Sequence, residues 1–136
     1  MALQYLQRLP AGIRTSSRTV AKNCDISEGL LAKILQELRH EGLISSTRGA
    51  QGGYALAVNL SDFSFQWFLE RFEGQVHLVD CAQTETCEKL GSCGIKGPML
   101  AVNDALRNCL NSLSLETVLD PASIPMIRLA GTQHIG

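Results

Sequence analysis

The sequence predicts a mainly α chain with one small β-hairpin, and three stretches carry that expectation. "ISEGLLAKILQELRHEGL" (26–43) repeats apolar residues at helical spacing, with Leu30, Leu31, Ile34, Leu35 and Leu38 forming one face. "LISSTRGAQGGYALA" (43–57) has two strand-like runs, Leu43–Thr47 and Tyr54–Val58, around a glycine-rich turn, Gly49–Gly53. After Pro98, the residues Met99, Val102, Leu106, Cys109 and Leu113 recur at intervals of 3, 4, 3 and 4, the seam of a pairing helix. A hairpin directly after two short helices is a wing. The expected architecture is therefore a winged helix-turn-helix unit over 1–74 and a dimerisation helix region over 98–120. Between them lies a cysteine-bearing loop over 75–97, and 121–136 is expected to be a mobile tail.

The elements follow in order. Residues 2–8 read as a short helix ended by Pro10 and Gly12, with the full first helix expected to begin upstream. "SSRTVAKNC" (16–24) supplies an N-cap at Ser16 or Ser17 and a helix through about Asn23, with Val20 and Ala21 inward. Ser27 caps the next helix and Gly42 stops it, while Arg39 and His40 sit in its last turn, where cations suit the helix dipole. Arg48 stands at the base of the wing, where Gly49, Gly52 and Gly53 permit close approach to a surface. "FSFQWFLERFEG" (63–74) is an amphipathic helix with Phe65, Phe68, Leu69 and Phe72 inward and Gly74 as its stop; it reads as core and not as a base-stacking platform. Two heptads after Pro98 are too few for an independent coiled coil and suit a helix that completes its burial in a second subunit. Ser114 to Leu119 forms one further turn before Pro121.

Composition narrows the class. The chain has 136 residues with a net charge of −1, 45% hydrophobic and 18% charged residues, a globular profile. Residues 1–54 hold seven Lys or Arg against four acids, a balance of +3, and residues 55–136 hold five against nine, a balance of −4. The basic half is the candidate for contact with a polyanion. The N-terminus lacks a basic region followed by an apolar one, so no signal peptide is expected, and no apolar run is long enough to span a membrane. The expected compartment is the cytoplasm, where disulfides are rare; five cysteines, an odd number, also disfavour a closed disulfide framework. No Ser/His/Asp set, phosphate loop or paired carboxylates mark an enzyme.

The stretch "CAQTETCEKLGSC" (81–93) places Cys81, Cys87 and Cys93 six positions apart among polar residues. Buried structural cysteines sit among hydrophobes, as Cys24 and Cys109 do on their helical faces. Thiolates are soft ligands suited to zinc, copper(I) or iron–sulfur clusters. Structural zinc commonly uses close Cys-x2-Cys pairs, absent here, whereas wide intervals and Gly91, Gly94 and Gly97 let the chain wrap something bulkier. A cluster takes about four ligands, and the loop supplies three thiols. His77, Asp80, Glu85, Glu88, another subunit or a small molecule could complete the set. Reduced surface thiols, a direct oxidation sensor or a zinc-stabilised interaction module are the other readings of the same residues.

Taken together, "LLAKILQELRHEGLISSTRGAQGGYALA", the helix ending "FEG", the three-cysteine loop and "ALRNCLNSLSLETVL" make the chain resemble the IscR/NsrR family of bacterial winged helix-turn-helix transcription regulators over about 2–120. The resemblance implies a homodimer on a palindromic double-stranded DNA operator, a DNA-binding repressor or dual regulator under the control of a 2Fe–2S or 4Fe–4S cluster. It implies Cys81, Cys87 and Cys93 as cluster ligands, Ser27, Glu28, Gly29 and Lys33 at the start of the recognition helix, and a wing including Arg48, Gly49, Gln51, Gly52 and Tyr54. Lys22, Lys33, Arg39 and Arg48 are the candidate phosphate contacts, Ser17 is a further candidate DNA-binding residue, and two-fold symmetry implies half-sites one or two helical turns apart. IscR-like members carry a His three residues after the third cysteine. Here Lys96 stands there, and an ammonium has no lone pair to offer, which leans toward the nitric-oxide-sensing NsrR-like side and leaves the fourth ligand open.

Overall fold

The computed structural model of the chain describes residues 1–79, 91–120 and 122. The described elements are α1 (Ala2–Gln7), α2 (Ser17–Cys24), α3 (Glu28–His40), β1 (Ile44–Thr47), β2 (Gly53–Leu56), α4 (Phe65–Phe72), α5 (Lys96–Ser112) and α6 (Leu115–Leu119), with a 3-10 turn at Leu60–Asp62 before α4. This is the mainly α architecture with one antiparallel hairpin that the sequence predicts. The tail over 123–136 and the segment 80–90 lie outside the described residues.

Serine oxygens start four of the helices. Ser16 caps α2 by accepting the Thr19 N–H at 3.1 Å, and Ser27 caps α3 by accepting the Leu30 N–H at 3.3 Å. Ser64 accepts from the Trp67 N–H and Ser114 from the Thr117 N–H, each at 3.1 Å. Each cap satisfies one of the N–H groups that a helix N-terminus leaves without a partner. Ser17 is thus the first helical residue of α2 and Ser16 its cap. Asp25 ends α2 in a left-handed conformation (φ 54°) and turns the chain into α3, whose far end is closed by Glu41 and Gly42 (φ 76°).

The core forms where α1, α2 and α3 meet the base of the hairpin. Leu31, Leu35 and Leu38 of α3 are buried with Leu3, Leu6, Val20, Ala21, Cys24, Leu43, Ile44, Leu60 and Leu115. Leu30, expected on the same face, is 50% exposed, and Ile34 is half-buried. The reason is angular: a helix advances about 100° per residue, so a stripe centred on Leu31, Leu35 and Leu38 leaves Leu30 on the flank.

The hairpin pairs Ile44 with Leu56, Ser45 with Ala55, Ser46 with Tyr54 and Thr47 with Gly53. It is shorter at its base than the sequence predicts, because the ladder ends at Ile44 and Leu56, beyond which Ala57 donates one bond to the Leu43 carbonyl, at 3.0 Å. A third, single-residue strand lies on the other side of β2. Thr15 and Tyr54 exchange both backbone hydrogen bonds, at 3.0 and 2.7 Å.

Helix α4 packs Phe65, Trp67, Phe68 and Phe72 against this core, with the Phe63–Trp67 and Phe68–Phe72 ring centroids 4.7 and 4.6 Å apart; Leu69 is half-buried. After α5 the chain returns. The Leu115 N–H donates to the Phe63 carbonyl and the Phe65 N–H to the Leu113 carbonyl, each at 2.7 Å, and the Gln4 amide donates to the Leu119 carbonyl at 2.9 Å. The end of the 98–120 segment therefore contributes Leu115 to the winged-helix core. Among the described residues no helix is long and apolar enough to cross a membrane.

Leu35→Ala removes a side chain at the centre of this packing. We expect it to lower unfolding free energy by about 3 kcal/mol, read as a reduced urea midpoint at unchanged slope.

Candidate nucleic-acid interface

Burying Leu31, Leu35 and Leu38 determines which residues α3 turns outward. Gly29, Lys33, Gln36 and His40 fall opposite that stripe, and all four are exposed. Lys33, Gln36 and His40 also line a groove of about 620 Å³ shared with Glu37, Glu41, Arg71 and Phe72. Arg39 is exposed but turns toward the flank of α3. The sequence does not point to Gln36, and it marks His40 only as a last-turn residue of the helix. Their position becomes legible only once the buried stripe is narrowed to three leucines.

The helix-turn-helix cleft is lined by Arg18, Lys22, Asp25, Ser27 and Glu28. Glu28 meets the Arg18 guanidinium at 3.4 Å, with both side chains mostly exposed. Such a pair is weak in water and screened by salt, so it orients the two side chains without locking them. Lys22 is exposed, and Ser17 is half-buried in the first turn of α2. Ser27 is exposed with its oxygen committed to the α3 cap, which leaves the hydroxyl proton available to an outside acceptor.

The wing is held tightly from beneath. Gly53 has φ 129°, and a Cβ there would run into the Thr15 backbone. A Cβ on Gly52 would strike the Thr47 and Arg48 backbone. Arg14, absent from the sequence-predicted set, donates from its guanidinium to the Gly53 carbonyl at 3.2 Å and to Ser45 Oγ at 3.3 Å. Its partners lie 39 and 31 residues away, so no local pattern could reveal it. Arg48, Gly49 and Gln51 stand exposed at the tip, Gly49 with φ 111°. Tyr54 is half-buried against the core and its backbone is taken up by Thr15, so it serves the base of the wing more directly than its tip.

Of the candidate cluster ligands, Cys81 and Cys87 lie outside the described residues, as do Asp80, Glu85 and Glu88. Cys93 is a half-buried free thiol three residues before α5, which begins at the half-buried Lys96. His77 is half-buried, with Nδ1 2.9 Å from the Gln75 carbonyl oxygen. Cys24 lies in the core and Cys109 is half-buried on α5. Among the described residues no three His, Cys, Asp or Glu side chains converge. The donor chemistry of three thiols in one polar segment nevertheless suits a soft metal centre.

A family profile described as "Iron-dependent Transcriptional regulator" matches residues 1–121. The chain belongs to the Rrf2 family. The Rrf2 regulators most like it include the transcriptional repressor NsrR of Streptomyces coelicolor, 26% identical over 132 residues that cover 93% of this chain and 88% of the relative. Among solved structures, the global cysteine regulator CymR of B. subtilis superposes with a TM-score of 0.67 at 26% identity, covering 86% of each chain. The IscR of T. potens superposes with a TM-score of 0.63 at 26% identity, covering 89% of this chain and 80% of that one. This Rrf2 chain is accordingly a transcriptional regulator and not an enzyme.

Lys33→Ala and Arg48→Ala each remove one candidate phosphate contact. We expect each to weaken duplex binding and to lower the slope of log affinity against log salt by about one, measured by fluorescence anisotropy over a salt series.

Proposed function

We propose that this Rrf2 chain is a homodimeric repressor that binds a palindromic operator in double-stranded DNA, with its affinity set by an iron–sulfur cluster. The observation that carries the DNA half is α3, whose apolar stripe is sealed in the core while Gly29, Lys33, Gln36 and His40 stand open opposite it. Ser27, Glu28, Gly29 and Lys33 begin the helix that enters the major groove, and Ser17, Lys22, Arg39 and Arg48 contact the phosphates. The wing tip, with Gly49, Gln51 and Gly52, follows the neighbouring backbone or minor groove, braced through Tyr54. A repressor of this kind works in the cytoplasm with its DNA.

Helix α5 supports the dimer. Val102 is 50% exposed, and Met99, Leu106, Cys109 and Leu113 are only half-buried, so one chain leaves the seam incomplete. A two-fold pairing along it presents two copies of α3 to symmetric half-sites. The functional division is then a DNA-reading unit over 1–74, a cysteine segment over 75–97 and a pairing region over 98–120.

Cys81, Cys87 and Cys93 would hold the cluster, with a fourth ligand from outside this set. The bound group would supply a centre that nitric oxide, oxidants or iron scarcity can dismantle. The family description and the NsrR and IscR relatives support this reading. The likeness to a cysteine regulator favours one alternative, a cluster-free regulator whose thiols respond directly to oxidation or to a small ligand.

Anaerobically purified protein is expected to be coloured, and Cys87→Ser to lose both the visible absorption and the cluster-dependent part of operator binding. Native mass spectrometry of the same samples reads the cluster's composition. A colourless wild-type protein whose operator affinity follows thiol oxidation would favour the alternative.

A further inference from the structure

Asn103 is the one fully buried residue of α5, at 5% exposure, and it is polar. Its Oδ1 accepts the Leu78 backbone N–H at 2.9 Å, across 25 residues of sequence. Leu78 lies outside helix and strand, its side chain is 52% exposed, and it stands three residues before Cys81. At the other end, Cys93 stands three residues before Lys96, the first residue of α5. The chain therefore approaches the cysteine segment tied to residue 103 of α5 and leaves it as residue 96 of the same helix. At about 1.5 Å per residue these two attachments lie about 10 Å apart along one rigid axis.

We propose that Asn103 is a positioning residue for the cysteine segment, fixing the backbone ahead of Cys81 to the helix that follows Cys93. The proposal rests on the reading that these cysteines hold a metal cluster. Burying an amide costs free energy unless it is hydrogen-bonded, and a leucine would fill the same site without that requirement. What the amide adds is a directional bond to a backbone that has no ladder or helix of its own. With that bond made, one helix holds both the backbone three residues before Cys81 and the residue three after Cys93, which lowers the entropy lost when the thiols close on a common centre. Without it, the backbone ahead of Cys81 loses this tie to the helix. One turn further along, Arg107 also anchors α5, through Glu70 of α4 at 3.0 Å, and among the described residues this ion pair joins α5 to α4 and not to the residues flanking the cysteines.

The test uses the full chain, reconstituted without oxygen, as wild type, Asn103→Leu, Asn103→Ala, Asn103→Asp and Arg107→Met. Bleaching of the visible absorption by an iron chelator gives the rate of cluster loss, and amide exchange at Leu78 in the cluster-free protein reports the bond directly. We expect Asn103→Leu and Asn103→Ala to bleach about tenfold faster, the usual scale for a group that orients a metal ligand, and to lose protection at Leu78. Asn103→Asp, which keeps the acceptor, restores the bleaching rate and the protection toward wild type. Arg107→Met lowers thermal stability and leaves bleaching unchanged. Wild-type bleaching in whichever of Asn103→Leu and Asn103→Ala folds, or equal acceleration by Arg107→Met, overturns the proposal while the cluster reading stands. A wild-type chain that takes up no cluster defeats the cluster reading, and the proposal with it.

Discussion

The stripe of Leu31, Leu35 and Leu38 is the constraint from which the rest of the molecule follows. These side chains are almost completely withdrawn from water, and they meet residues from α1, α2, the hairpin, the 3-10 turn and α6. Once they are committed, α3 cannot rotate without opening the core, and its outward residues are determined. Core side chains are close-packed, so such a helix moves as a body with its neighbours or not at all. That rigidity allows a helix on the surface to present a fixed pattern of donors and charges to a duplex.

The same core also limits what α5 can do. Its C-terminal continuation is pinned by Leu115 and by the exchange of hydrogen bonds between 113–115 and 63–65. Its middle is joined to α4 by Arg107 and Glu70, while the adjacent Arg71 pairs with Glu41 at the end of α3. A run of contacts thus extends from Leu78 through Asn103 and Arg107 to Glu70, and from Arg71 to the cap of α3. Contiguity is not coupling, but in a two-state regulator this is a route by which a change at the cysteine segment could bias α3 within one protomer.

Much of this was legible in the chain itself. Serine caps at Ser16, Ser27, Ser64 and Ser114 and the glycine stops at Gly42 and Gly74 act within a turn of their own position, which is why the helices fall close to where the sequence puts them. The wing was readable for the same reason. What escaped was non-local. The Thr15 bridge is a single residue with no period, Arg14 reaches partners on the hairpin, and Asn103 looks like any polar residue between two apolar positions of a seam. Leu30 misled because an apolar residue adjacent to the buried stripe counts toward a periodicity whether or not it is covered. The cysteine spacing was readable as chemistry, while the placement of Cys81 and Cys87 lies outside the described residues.

The most direct measurement is operator binding across a salt series by cluster-loaded and cluster-stripped protein prepared from one anaerobic batch. A regulator whose cysteine centre is coupled to α3 shows a difference of about tenfold or more between the two forms at a fixed salt concentration, within the usual range for energetic coupling between sites. Superimposable curves for the two forms, with the cluster verified in one and absent from the other, would contradict it.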